Sequence, residues 1–286
     1  MKNYSFGVLG GDRRQISLAE SLAASGFAVY ACGFDSVEFS FPVKKVPFDE
    51  LARRCEIVIL PLPVTDDGVH VKMEFGGEPV ALDDGFARKM DGKRVFGGMM
   101  ERLYRTSPLW KNIRSEDYYL RDDFAIRNAV PTAEGAVEIA MREYPGTISG
   151  SRCLVAGFGR VGKTLARMLR GIGARVTVSA RRPSDLAWIE SEGYRSAVTG
   201  SIGTQEEQYD VIFNTVPAMI FNRKVLSGLR ECRLLVDLAS APGGVDFEAA
   251  EKIGIKALLA PSLPNRVAPK TAGEIIKDTV CRMIGE

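Results

Sequence analysis

The run Gly157-Phe158-Gly159-Arg160-Val161-Gly162 follows the apolar stretch Cys153-Leu154-Val155-Ala156 directly and leads into helical spacing from Val161 to Leu169. Val176-Thr177-Val178-Ser179 then returns as a second apolar strand. Strand, spaced glycines, helix and strand in one short unit predict a βαβ turn on a parallel sheet. Gly157 permits the tight turn, Gly159 lets the backbone approach a ligand, and Gly162 lets helix and strand pack closely. The amides at the start of such a helix have no intrahelical partners and suit phosphate. The second half is therefore expected to be a Rossmann dinucleotide-binding domain. Its contacts are expected from Gly157, Phe158, Gly159, Arg160, Val161 and Gly162.

The remaining chain reads as α/β in two domains. In the first half, Phe6–Leu9, Phe27–Tyr30, Glu56–Leu60 and Lys93–Phe96 are strand candidates, with a helix from Gln15 to Ala24. Residues 99–128 are less regular. Pro131-Thr132-Ala133-Glu134 is read as the opening of a helix from Gly135 to Tyr144, closed by Pro145-Gly146. After the glycine turn, Val211–Phe213, Leu234–Asp237 and Ala257–Leu259 continue the strand pattern, and Lys270 to Met283 forms a last helix long enough to return to the first block. This divides the chain into a Rossmann-like or flavodoxin-like domain over 1–130, completed by 267–286, a connecting helix at 131–150, and the dinucleotide domain at 151–266.

The end of the strand after the glycine turn bears on which dinucleotide binds. NAD-binding turns place an acid there for the ribose hydroxyls, whereas this chain has Ser179-Ala180-Arg181-Arg182. Ala180 removes the carboxylate that would repel a 2′-phosphate, and Arg181 offers a planar cationic fork. Arg182 or Arg160 is a second contact, and NADP is the expected cofactor. Asn214-Thr215-Val216-Pro217 and Asp237-Leu238-Ala239-Ser240 end two further strands, at the carboxyl edge where ligands of open α/β sheets lie. Near the start, Gly7-Val8-Leu9-Gly10-Gly11-Asp12, with Asp35 further on, has the outline of a nucleotide turn but lacks the spaced glycine triplet. It is read as a related fold reused for substrate.

Composition removes several classes. With 38 basic and 36 acidic residues the net charge is +2, too small to suggest nucleic acid or a membrane surface as partner. The start, Met1 to Ser5, runs into an apolar stretch too short for a signal-peptide core, and no apolar run approaches a membrane span, so cytoplasm is expected. The five cysteines, Cys32, Cys55, Cys153, Cys232 and Cys281, form no Cys-x-x-Cys pair, and no metal site is expected. His70 is the single histidine, in the acidic segment Asp66-Asp67-Gly68-Val69-His70, and reads as a solvated surface residue. That removes a His-based dehydrogenase mechanism.

Longer motifs carry a family likeness. Gly10-Gly11-Asp12-Arg13-Arg14-Gln15, Val130-Pro131-Thr132-Ala133-Glu134-Gly135, Gly162-Lys163-Thr164 and the stretch from Asp237 to Phe247 are among them. So are Leu258–Pro264 and Val267–Gly273 near the end. On these motifs the chain resembles, nearly end to end, the family of dipicolinate synthase A subunits. The resemblance implies a Rossmann cofactor domain, a flavoprotein-like B subunit as partner, and a role in spore formation. The implied reaction oxidises a dihydrodipicolinate-type ring from the lysine pathway to pyridine-2,6-dicarboxylate, with NADP as hydride acceptor. The segments 214–217 and 179–181 are more distantly similar to shikimate dehydrogenases, and the connector to alanine and 2-hydroxyacid dehydrogenases.

A dicarboxylate substrate calls for cationic forks and anion-binding turns. Arg14, oriented by Asp12, is expected to hold one carboxylate. Thr132 and a helix N-terminus at 131–133 are expected to help hold the other, with Lys270 as a second cation and Ser240 as a further contact. Glu134 or Asp237 is the candidate base. Two alternatives stay open: another NADP dehydrogenase of shikimate or alanine type, and a non-catalytic cofactor-binding subunit of a flavoprotein complex. A homo-oligomer is expected.

Overall fold

The computed structural model describes residues 4–204 and 207–286, so Met1 to Asn3 at the start of the chain lie outside the described residues. The chain divides into two compact units, 1–128 with 268–286, and 129–267.

In the first unit β1 (Ser5–Leu9), β2 (Ala28–Cys32), β3 (Val43–Lys45), β4 (Ile57–Ile59), β5 (Arg94–Gly97) and β6 (Arg114–Asp117) form a parallel sheet ordered β3-β2-β1-β4-β5-β6. The order reverses between β1 and β4, the switch point of a doubly wound fold. Helices α1 (Arg13–Ala24), α2 (Phe48–Arg54), α3 (Asp84–Met90) and α4 (Glu101–Tyr104) lie between the strands in sequence. The central strands are buried on both faces, which is why their sequences are apolar runs rather than alternations.

The helix α5 (Asp122–Glu143) corrects the expected connector. It starts at Asp122 rather than at 131, with Asp122 and Asp123 in its first turn, and Pro131 lies inside it. Proline there forfeits one backbone hydrogen bond, and the buried faces around Ala129, Ala133 and Ala136 hold the helix through it.

In the second unit β7 (Arg152–Ala156), β8 (Arg175–Ala180), β9 (Arg195–Val198), β10 (Val211–Asn214), β11 (Leu234–Asp237) and β12 (Lys256–Leu259) are ordered β9-β8-β7-β10-β11-β12, the same topology as the first. Helices α6 (Arg160–Ile172), α7 (Pro183–Ser191), α8 (Arg223–Gly228), α9 (Phe247–Ile253) and α10 (Leu263–Val267) complete it. The last helix, α11 (Pro269–Gly285), returns to the first unit and packs on α1, burying Ile275, Ile276, Val280 and Met283. Both units are thus α/β with doubly wound parallel sheets.

Candidate functional site

The register Asn214↔Ala156, Asn214↔Asp237 and Ala156↔Ser179 brings the ends of β10, β7, β11 and β8 side by side. The glycine turn leaves this edge at the switch point between β7 and β10. Gly157 takes φ +104°, and its amide donates to the Ser179 carbonyl at 3.1 Å. A Cβ at Gly157 would stand 2.5 Å from Thr215 Oγ1, and one at Gly162 would collide with the Gly157 carbonyl oxygen. Gly159 differs. It is the N-cap residue of α6 and carries no side chain to cap the helix, and a Cβ there would meet nothing within 4 Å.

The first intrahelical bond runs from Lys163 N to Gly159 O at 2.9 Å, so the amides of Arg160, Val161 and Gly162 have no helical acceptor. Helix-end amides such as those of Val161 and Gly162, next to the open space at Gly159, fit a pyrophosphate. Thr215 fixes the neighbouring loop: its amide and its hydroxyl both donate to the Ala156 carbonyl, at 2.9 and 2.8 Å. Phe158 and Val161 are half-buried, Lys163 Nζ lies 4.6 Å from the centre of the Phe158 ring, and Arg160 is exposed at the first helical position.

At the end of β8, Ala180 is buried and Arg181 is exposed, with no ion pair or hydrogen bond among the described residues. Arg182 is engaged, its Nε and Nη2 donating to the two Asp185 oxygens at 2.8 and 3.0 Å. No carboxylate follows β8 before Asp185, so Arg181 is the free fork where the ribose end of a dinucleotide belongs.

Asn214 and Asp237 are fully buried. Asn214 Nδ2 donates to Asp237 Oδ1 at 2.8 Å and to the Val216 carbonyl at 3.1 Å, while Asn214 Oδ1 accepts from Val216 N at 3.1 Å. Asp237 also accepts from Ala239 N at 3.1 Å and from Gly244 N at 3.0 Å. The carboxylate therefore ties the 214–217 turn to the 238–244 loop. Gly244 is a site residue that sequence reasoning passed over: a Cβ there would lie 2.6 Å from the Ala218 carbonyl and collide with Asn214 Nδ2. Pro217 and Ser240 are exposed, and Leu238 and Ala239 half-buried.

The first unit treats its corresponding turn differently. Asp12 and Arg14 are 2% and 5% exposed, and Arg14 Nε and Nη2 grip the Asp12 carboxylate at 2.9 and 2.6 Å. Arg14 Nη2 also donates to the Leu62 carbonyl. Desolvation opposes the guanidinium charge, and the hydrogen bond and field of Asp12 outweigh it, leaving the Arg14 pKa raised. The Arg14 fork is thus closed on Asp12 and on the loop after β4.

Thr132 and Glu134 lie within α5, so the helix N-terminus expected at 131–133 is absent and Glu134 is not a first-turn residue. Glu134 is exposed. Lys270 is exposed in the first turn of α11, with no ion pair among the described residues. His70 pairs with Asp67 at 2.8 Å on the surface, and the hydrogen bonds of His70 and Val69 hold the Asp67 carboxyl well below the usual range.

A switch-point turn with uncapped amides, on a sheet of this order, defines a nicotinamide dinucleotide-binding oxidoreductase domain of dehydrogenase type. Residues 125–242 match the family model for the NAD-binding domain of D-isomer specific 2-hydroxyacid dehydrogenases. Residues 5–117 match the model for the N-terminal domain of the dipicolinate synthase A subunit. The A subunit of dipicolinate synthase from Bacillus subtilis (strain 168) is 36% identical over 98% of this chain and 95% of that protein. The crystal structure of the dipicolinate synthase A subunit from Bacillus halodurans superimposes with a TM-score of 0.88 at 33% identity, over 99% of this chain and 98% of that one. The crystal structure of the Bacillus subtilis A subunit gives 0.87 at 35%, over 100% and 97%. The chain belongs to the family of dipicolinate synthase A subunits.

Proposed function

We propose that this chain oxidises a dihydrodipicolinate-type ring to pyridine-2,6-dicarboxylate with NADP as its cofactor. The observation that carries the cofactor half is the uncapped α6 N-terminus with open space over Gly159, beside an Arg181 that has no partner among the described residues. The substrate half rests on family membership, since relatives are named for dipicolinate synthesis.

Gly157 to Gly162 hold the pyrophosphate on backbone amides, and Arg181 takes the 2′-phosphate. The 215–217 and 238–239 loops border the nicotinamide half. NADP, when bound, supplies the hydride acceptor. The oxidation removes a hydride from one ring carbon and a proton from another, and aromatisation of the ring supplies driving force. Glu134 is assigned as proton acceptor. Asp237, with both oxygens taken by buried donors, is assigned to positioning the two loops. Lys270 is the cation assigned to a substrate carboxylate. Asp12 and Arg14 hold the turn and the loop after β4 in place, Ser240 offers a hydroxyl to a ligand beside the 238–244 loop, and Thr132 supports α5. The chain works with a flavoprotein-like second subunit, as a homo-oligomer in the cytoplasm.

The test is spectrophotometric. Freshly formed dihydrodipicolinate, shikimate and alanine are each offered with NADP or NAD, with and without the second subunit. NADPH formation with dihydrodipicolinate alone supports the reading. Turnover of shikimate or alanine instead, or no turnover in any arm, overturns it. Arg181→Ala is expected to weaken NADP by about 1.5–3 kcal/mol, the worth of a hydrogen bond to a charged group, and to leave NAD unchanged. Equal losses for both would remove the NADP assignment.

A further inference from the structure

The two units begin their sheets with the same turn. Leu9 pairs with Cys32 as Ala156 pairs with Ser179, and Gly10 N donates to Cys32 O at 2.8 Å as Gly157 N donates to Ser179 O at 3.1 Å. Gly10 and Gly157 both have positive φ, and Asp12 and Gly159 are the N-cap residues of α1 and α6. The equivalence therefore runs Gly10 with Gly157, Asp12 with Gly159, and Gly33-Phe34-Asp35 with Ala180-Arg181-Arg182.

Where the second unit leaves its helix amides open, the first fills them. The Asp12 carboxylate accepts from Arg14 N at 3.0 Å, and the Gln15 side chain accepts from Asp12 N at 3.1 Å. The segment after Val71 then covers the turn: Gly11 N donates to Lys72 O at 2.7 Å and Glu74 N to Gly11 O at 3.1 Å, and the Met73 side chain occupies the space beside Gly10 and Gly33. The path a pyrophosphate would take is closed by backbone and by a carboxylate.

The end of β2 is not closed. A cleft of about 760 Å³ opens there, within the size range of small-molecule sites. It is bordered by Asp35, by Val46 and Pro47 before α2, and by Glu78, Pro79 and Val80. Asp35 stands three residues past the end of β2, level with Arg182 of the second unit and two beyond the usual place of the acid, at the strand end where a dinucleotide's ribose lies. The carboxylates of Asp35 and Glu78 have no hydrogen bond or ion pair among the described residues. The two lysines in the cleft are already engaged. Lys45 Nζ donates to the carbonyls of Val37 and Asp35 at 2.8 and 3.3 Å and lies near Glu38, and Lys89 pairs with Asp49. The cleft thus offers acceptors and apolar walls, and neither lysine of its lining is free.

We propose that this cleft binds a phosphate-free ribonucleoside, with its ribose hydroxyls on Asp35 and its base between the apolar walls. The proposal takes from the dinucleotide reading only the place of the ribose at the strand end. It concerns a different site from the one that holds NADP.

The full chain is titrated calorimetrically with adenosine, guanosine, cytidine and uridine, first alone and then with saturating NADP. At least one nucleoside is expected to bind equally well in both conditions. Its 2′-deoxy form and the Asp35→Asn variant are each expected to bind about tenfold more weakly, as loss of a charge-assisted hydrogen bond implies. Its 5′-monophosphate is expected to bind no better than the nucleoside, and Asp35→Asn to bind NADP normally. Absence of binding by all four overturns the proposal. So does competition by NADP, which would assign the nucleoside to the second unit, or indifference to both the 2′-hydroxyl and Asp35. If NADP itself fails to bind, the cofactor reading falls while the nucleoside titration still decides this site.

Discussion

A methyl group at Gly162 would collide with the carbonyl oxygen of Gly157, whereas one at Gly159 would meet nothing within 4 Å. The two glycines are therefore separable by experiment. Gly162→Ala forces helix and strand apart, and overpacking of this kind costs about 1–3 kcal/mol, so both melting temperature and dinucleotide affinity should fall. Gly159→Ala should leave the melting temperature unchanged and, on the proposed function, weaken the dinucleotide about tenfold, because it would fill the space assigned to the pyrophosphate. Equal melting losses in both, by thermal denaturation, would show that Gly159 serves the fold instead. The glycine triplet was legible in sequence, since turn geometry resides in single residues. The Asp12 clamp was half legible. Asp12 and Gln15 carry the spacing of a capping box, but which groups Arg14 grips depends on Leu62, which lies far away in the chain.

Among the elements, the strands that sequence reading missed are β3, β6 and β9, each at a sheet edge. Edge strands bury less, and Val43-Lys44-Lys45, Arg114–Asp117 and Arg195–Val198 consequently lack the apolar runs of central strands. Pro131 misled for a related reason: proline favours the first turn of a helix, and only packing decides whether it is tolerated further in. In the second sheet, Arg152 at the start of β7 binds Asp210 before β10, at 2.6 Å, and Glu231 before β11, at 2.6 Å. The hydrogen bond from Arg152 holds the Asp210 carboxyl below the usual carboxylate range. A carboxyl lowered in the folded state stabilises above its unfolded pKa and loses that contribution as pH falls through the folded value. Thermal melts from neutral pH down to about pH 3 should therefore show a steeper acid loss for the wild type than for Asp210→Asn, around and below the ordinary carboxylate value of roughly 3.9. Parallel slopes would mean that the pair is screened by solvent and contributes nothing.

For the molecule as a whole, one sheet topology is written twice, and the chain's last helix returns to the first of the two units. Gly273 marks that return: a Cβ there would stand 2.5 Å from the Arg14 carbonyl and 2.8 Å from Leu18 N, so α11 and α1 touch backbone to backbone. Alanine in place of glycine normally stabilises a helix by about 0.5–1 kcal/mol. Here Gly273→Ala is expected to lower stability instead, by about 1–3 kcal/mol in chemical denaturation, because α1 must move; a gain would mean that the helices are not held this closely. Sequence alone determined the α/β class, the dinucleotide turn and the family, because strand periodicity, glycine spacing and long motifs are local properties of the chain. Only the tertiary structure decided which of two equivalent turns is open. That depends on what residues distant in sequence, Leu62 and Lys72 to Glu74, place over a helix end, and no local pattern records it.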